Sequence, residues 1–380
     1  MAQRVNLRDI PELQPFLLTN VRPTGTEIGA GAYGSVHEVE LPGATCAAKL
    51  VHNALCGSSA EEFRFVAVKF VEECQRMSAL RHPHIVQFLG ICFLPESPRL
   101  PALVMERMLT SLHELLETRP SIPLGFKCSF LLDVSRGLAY LHSRSIIHRD
   151  LTAKNVLLNS AMVCKLADLG VARMVPGKQM ATMTTAPGTT VFMPPEALAD
   201  TSRYDASIDL FSLGVLALFV LTQSFPGKLL QPTYESDESE LRARTELERR
   251  GEYMQCVLKQ FSKEHPFVQM IEKCLQNSPK KRPTIQQVIE LLLEAEAKIP
   301  DPDLYMGMTK LDLLEAVEEE KRLRKEEREA KGQEGSETLL EELSESIRSK
   351  DQQILLLLSE IHVMRQHSQV LWPFRVGCTM

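Results

Sequence analysis

From about Thr24 to residue 110, apolar and polar positions alternate in short runs, as in Val36-His37-Glu38-Val39-Glu40-Leu41. A period of two predicts strands. Glu61 to Leu80 breaks that period and predicts one helix. Beyond residue 110 the spacing lengthens to three and four. Cys128 to His142 places Leu131, Leu132, Val134, Leu138 and Leu141 at helical intervals. The run Leu210 to Leu221 is apolar except for Ser212 and Gly214, and predicts a helix buried on all sides. It is too short to span a bilayer. The pattern predicts a small β-rich lobe followed by a larger, mainly helical one, with no long-period internal repeat.

The two ends differ from this body. Residues 1–21, with Pro11 and Pro15, predict an extended lead-in, and residues 22–299 a folded domain. Residues 300–310, with Pro300, Pro302 and Gly307, predict a linker. The tail, 311–380, opens with Glu318 to Lys331, nearly all charge, where Glu318–Arg322 and Glu320–Arg324 fall at i,i+4. That pattern predicts a solvated single helix. From Leu340, the positions Leu343, Ile347, Lys350, Ile354, Leu357, Ile361 and Met364 follow a three-four spacing in which only Lys350 is not apolar. It predicts a coiled coil, for self-association or partner docking through 340–364, against the plainer alternative of an amphipathic helix packed on the body.

Charge narrows the partners. The net charge of −6 resides in the tail, since residues 301–350 hold 15 acidic and 9 basic residues. A neutral body with an acidic tail lacks the basic stripe that phosphate backbones require, which excludes nucleic-acid binding. Nine cysteines with no C-x-x-C pair predict free thiols in a reducing compartment, and the chain is expected to be cytoplasmic.

Candidate chemistry begins at Ile28-Gly29-Ala30-Gly31-Ala32-Tyr33-Gly34-Ser35-Val36, a G-x-G-x-x-G-x-V stretch. Glycine lets backbone approach a polyphosphate where a Cβ would obstruct it. A dinucleotide fingerprint would continue into a helix, whereas a strand follows here, so the stretch predicts a hairpin flap over a nucleotide. Two strand lysines compete to meet the phosphates, Lys49 in Cys46-Ala47-Ala48-Lys49 and Lys69 in Val66-Ala67-Val68-Lys69. Lys49 follows Val36 by a single hairpin return, and enough chain separates it from Glu73 for a turn and two helical turns. Lys69 stands one helical turn before Glu73 and would share its helix. Spacing selects Lys49.

The most specific block is Ile147-His148-Arg149-Asp150-Leu151-Thr152-Ala153-Lys154-Asn155, which leads into an apolar strand and, after a second apolar run, Asp168-Leu169-Gly170. In this order, after a Gly-rich stretch and a strand lysine, the residues resemble a eukaryotic protein kinase domain over about 275 of the 380 positions. The resemblance implies an α+β, bilobal kinase fold, with ATP and Mg²⁺ (Mn²⁺ as the alternative) as cofactors and proteins as substrates. It implies that Asp150 accepts the proton of the substrate hydroxyl and that Asn155 and Asp168 hold the metal. Lys49, fixed by Glu73, would contact the α- and β-phosphates under Ile28, Gly29, Gly31 and Gly34. Val36, Ala47 and Leu157 would enclose the adenine, with Met105 as gatekeeper and the backbone of Glu106 and Met108 as hinge. It also implies an ion pair of Glu196 with Arg282, and a buried Asp209 that supports the catalytic loop.

Three positions depart from the family pattern. Leu169 stands for the usual Phe and Pro194 for the usual Ala. Thr152 stands where Ser/Thr kinases carry Lys, while Lys154 occupies the place of the tyrosine-kinase Arg. Pro187 to Phe192 nevertheless resembles the Gly-Thr substrate loop of Ser/Thr kinases. The mixture resembles the tyrosine-kinase-like group and implies Ser/Thr specificity, with tyrosine or dual specificity as one alternative and a catalytically silent scaffold as another. Arg149 is expected to bind a phosphate on Thr182, Thr184 or Thr185.

Overall fold

The structure, a computed structural model, describes residues 10–31, 34–50, 60–95, 100–118, 122–169, 192–198, 205–223, 266–298 and 309–331. Five strands form an antiparallel sheet in the order β1-β2-β3-β5-β4: β1 (Arg22–Gly31), β2 (Gly34–Leu41), β3 (Ala44–Leu50), β4 (Phe88–Cys92) and β5 (Ala102–Glu106). Consecutive buried residues in β3, β4 and β5 show that the centre of the sheet is covered on both faces. Helix α1 (Ala60–Ala79) buries Phe70, Val71, Cys74 and Met77 against this sheet. Val39, Cys46, Ala48 and Val104 make a second apolar layer.

The larger lobe is helical. It contains α2 (Leu112–Thr118), α3 (Leu124–Ser143), α4 (Pro195–Leu198), α5 (Ser207–Thr222), α6 (Pro266–Cys274) and α7 (Ile285–Lys298). A small antiparallel sheet, β6 (Thr110–Ser111), β7 (Val156–Leu158) and β8 (Cys164–Leu166), lies beside them. As its sequence predicts, α5 is buried on every side from Ile208 to Leu221. Arg282, whose side chain is fully buried, joins Glu196 through two bonds of 2.5 and 2.9 Å and donates to Ser207 O at 3.0 Å. A third apolar group, Val86, Met108 and Ala167 with Met105 and Leu157, bridges the two lobes.

Both ends depart from their expected character. The lead-in forms a 3-10 turn, Pro11–Phe16, whose Leu13 is 2% exposed among Phe70, Cys74 and Ile91. Leu18 N–H then donates to Ile91 O at 2.9 Å. The crossing is so close that a Cβ on Gly90 would stand 2.5 Å from Phe16 O. The prolines pre-set the turn, and burial of Leu13 outweighs the cost of ordering it.

At the other end α8 spans Lys310–Lys331 and starts on a Thr309–Asp312 cap, Asp312 N–H to Thr309 Oγ1 at 3.2 Å. Leu313 and Val317, ahead of the charged run that begins at Glu318, are buried in the large-lobe core, so the start of α8 is docked. Arg322 pairs with Glu319 at 2.5 Å and approaches Glu326 at 3.9 Å, in place of the expected Glu318. The side chains of the expected pair Glu320–Arg324, the coiled-coil segment 340–364 and Thr182, Thr184 and Thr185 lie outside what the structure describes. Among those that are described, no helix is long and apolar enough to cross a membrane.

Candidate functional site

Sheet register builds one wall. Gly29 pairs with Val36, Val36 with Lys49, and Lys49 with Leu103, so glycine backbone and lysine share a line across the strands. Ala47, two residues from Lys49 on the same face, pairs with Met105. Gly31 and Gly34 face each other where the β1–β2 hairpin closes. Lys69 lies within α1, away from any strand.

The opposite wall is a loop held by a buried carboxylate. Asp209, fully buried in the first turn of α5, accepts from His148 N–H at 2.9 Å and Arg149 N–H at 2.8 Å, and lies 2.8 Å from His142 Nε2. Arg149 has φ +66° and Asp168 φ +59°, left-handed values that a side chain disfavours. The backbone bonds to Asp209 hold the first of these in place. Asn155 Nδ2 donates to Asp150 O at 2.8 Å and Asp150 Oδ2 at 2.9 Å, while Ala167 N–H donates to Asn155 O at 2.9 Å. These bonds tie Asp150 to Asn155, and Asn155 to the residue that precedes Asp168.

Between the walls is a cleft of about 590 Å³, a size suited to a small ligand. Ile28, Gly29, Val36, Ala47, Lys49, Glu106, Met108, Asp150, Lys154, Asn155, Leu157 and Asp168 all line it. Glu73 does not. Lys49 Nζ donates to Asp168 Oδ1 across the cleft. Glu73, the partner expected for Lys49, is 5% exposed and pairs with Arg76 one helical turn on, at 3.0 Å. Burial raises the Glu73 carboxyl above its usual range, and Arg76 only partly opposes this.

Residues not singled out by motif complete the site. Both Glu106 oxygens take bonds of 2.7 Å from Lys165 Nζ, and Gln87 N–H donates to one of them at 2.7 Å. Arg107 bridges Glu38 of β2, at 3.2 Å, and the carbonyl of Met108. Ser111 Oγ accepts from Glu114 N–H at 3.1 Å and starts α2 at the cleft's edge. Lys321, from α8, lines the cleft as well. No motif marks it, although Leu313, Val317 and Lys321 repeat every four residues.

Asn155 and Asp168 both line the cleft and carry side-chain oxygens, the donors a hard divalent ion requires, so the donor set fits Mg²⁺ or Mn²⁺. Among the described residues no cluster of three or more His, Cys, Asp or Glu offers a separate metal site.

A β-sheet lobe over a helical lobe, with the cleft between them, is the bilobal arrangement of a phosphotransferase. The family described as the protein kinase domain matches residues 23–292, and the chain belongs to it. Its relatives include a probable serine/threonine-protein kinase of Dictyostelium discoideum, 31% identical over 284 residues, covering 73% of this chain and 43% of that protein. Serine/threonine-protein kinase STY17 of Arabidopsis thaliana is 32% identical over 284 residues, covering 68% and 46%. A Dictyostelium discoideum protein named seven transmembrane domain-containing tyrosine-protein kinase 1 is 28% identical over 302 residues, covering 74% and 39%. The chain spans less than half the length of each of these relatives.

Proposed function

We propose that this chain is an ATP-dependent protein kinase of the tyrosine-kinase-like group that phosphorylates serine and threonine. The observation that carries the reading is the convergence of Lys49, Asp150, Asn155 and Asp168 on one cleft, with Asp150 bonded to Asn155 and Asp168 to Lys49. Phosphoryl transfer requires positioning and neutralisation of charge more than covalent chemistry by the protein. The substrate hydroxyl oxygen forms a bond to the γ-phosphorus, the bond from that phosphorus to the β-γ bridging oxygen breaks, and ADP leaves with the electron pair. Asp150 orients the hydroxyl and accepts its proton. Lys49 holds the α- and β-phosphates, the hairpin glycines cover them, and Lys154 faces the transferred group. A divalent ion held by Asn155 and Asp168 supplies the remaining neutralisation when bound. Val36, Ala47 and Leu157 enclose the adenine against the Glu106–Met108 hinge.

Glu73 has no place in this scheme while Arg76 holds it. The six described cysteines are free and buried, which supports a reducing, cytoplasmic setting. The test is phosphorylation with ATP and Mg²⁺ beside Asp150→Asn, with the phosphorylated residue identified. Phosphoserine or phosphothreonine, reduced about 10²–10⁴-fold in the variant, is the expected result. Phosphotyrosine would reverse the specificity, and no transfer by the folded, activated chain would refute the enzyme reading.

A further inference from the structure

Four cations line the cleft, and one of them does not come from the kinase domain match. Lys49, Arg107 and Lys154 lie within residues 23–292, whereas Lys321 lies well beyond that range, on α8. The helix begins against the large lobe, where the Lys310 charge acts on Asp133 and Cys164. Leu313, 1% exposed, and Val317, 4% exposed, then enter the core.

At 100° per residue, Lys310, Leu313, Val317 and Lys321 fall within an arc of about 80°. The exposed positions Leu311, Asp312, Glu315, Glu318, Arg322 and Glu326 lie on another side, while Lys310, also exposed, opens the docked arc in the first turn. Lys321 is half-buried and lies on the docked face, about three turns and about 16 Å from Lys310. Its place at the cleft follows from how α8 docks.

We propose that α8 is a structural part of the nucleotide site and that Lys321 is a nucleotide-binding residue, delivered in cis by the tail, for the polyphosphate of ATP. The inference rests on the nucleotide-binding reading of the cleft. Four carboxylates, Glu106, Glu114, Asp150 and Asp168, line the same space; with Lys165 on Glu106 and Glu38 on Arg107 included, acids equal bases, so the cleft carries no surplus of positive charge. A polyanion entering it depends on each cation, more so because half-buried charges are screened less than exposed ones. Linkage then makes the effect reciprocal. A docked α8 tightens ATP binding, ATP tightens docking, and a partner that drew the tail away would weaken both.

The test is binding of ATP, ADP and adenosine, with Mg²⁺ present, to the full chain and to Lys321→Gln, Lys321→Arg and the undocking pair Leu313→Asp/Val317→Asp. Loss of one charge-assisted contact predicts that ATP binds Lys321→Gln about tenfold more weakly. Adenosine affinity should be unchanged, Lys321→Arg should retain ATP affinity, and the ATP deficit should shrink as salt is raised. The undocking pair should reproduce the deficit with Lys321 intact; should that pair fail to fold, Lys321→Gln alone still decides. Equal ATP affinity in wild type and Lys321→Gln, or equal losses for adenosine and ATP, would overturn the inference and leave the cleft reading intact. No ATP binding by the wild-type chain would overturn both.

Discussion

Asp209 is more exposed to consequence than any residue that touches the cleft. Its carboxylate is the shared acceptor for two backbone N–H groups of the catalytic loop, and one of these belongs to Arg149 at φ +66°. Removing the acceptor leaves buried donors unpaired and releases the strained peptide. Asp209→Ala should therefore destabilise the fold by about 3 kcal/mol or more, as for breaking a buried ionic partner, and abolish transfer. Asp209→Asn, which keeps one acceptor oxygen, should lose less stability. Urea unfolding of both variants measures the difference. Lys127 makes the opposite kind of site. Its Nζ donates to Leu221 O at 3.0 Å in the core, and burial pushes its pKa down to about 8. Because the folded value is depressed, the unfolded chain binds more protons between pH 8 and the ordinary lysine value of 10.5. Stability from this group is full above 10.5 and lost as pH falls through 8. Over that window the gain is at most about 3 kcal/mol, and Lys127→Met should abolish it. Thermal unfolding of the two chains from pH 7 to 10.5 isolates the contribution, since the other titrating groups are common to both.

Elements reveal where sequence patterns suffice and where they do not. The β2 strand and the unbroken apolar run of α5 were legible because the first alternates and the second, apolar throughout, has to be buried on all sides. Lys49 was separable from Lys69 by chain length alone, since a strand return and a helix need different numbers of residues. The Glu73 partner was not legible. Spacing places a carboxylate on α1 with Arg76 at i,i+3, but whether that helix brings Glu73 to Lys49 or leaves it to its own-helix neighbour depends on long-range packing. Packing from the rear comes from Leu13, which no motif could mark because one leucine in a Pro-rich stretch has no period. Leu13→Ala should cost about 2–4 kcal/mol by leaving a cavity beside Phe70 and Cys74. Gly90→Ala should be at least as severe for its size, because the new methyl would meet backbone at 2.5 Å. Thermal melts of both, with Leu18→Ala as a control that relieves part of the Gly90 clash, test the crossing.

At the scale of the whole molecule, the family match and the folded unit have different limits. Residues 23–292 hold every motif, yet Leu13 and the pair Leu313/Val317 fall outside that range and lie inside the cores. A chain cut to residues 22–299 should melt at a lower temperature than one spanning 10–331, since both lobes would expose apolar surface that the ends now cover. Calorimetry of the two chains decides it. An undiminished melting temperature would show that the ends add nothing to the fold.

The six buried thiols, finally, make the protein its own clock. Cys46 and Cys92 lie in one layer of the small lobe and Cys74 in the other; Cys128, Cys164 and Cys274 lie in the large lobe. Burial pushes Cys92 up to about 11 and Cys74, Cys128 and Cys274 up to about 12, so folded thiols present almost no thiolate to an alkylating reagent at neutral pH. Each reacts only when its surroundings open. Peptide-resolved alkylation over time would read the breathing of each layer separately, with no residue substituted.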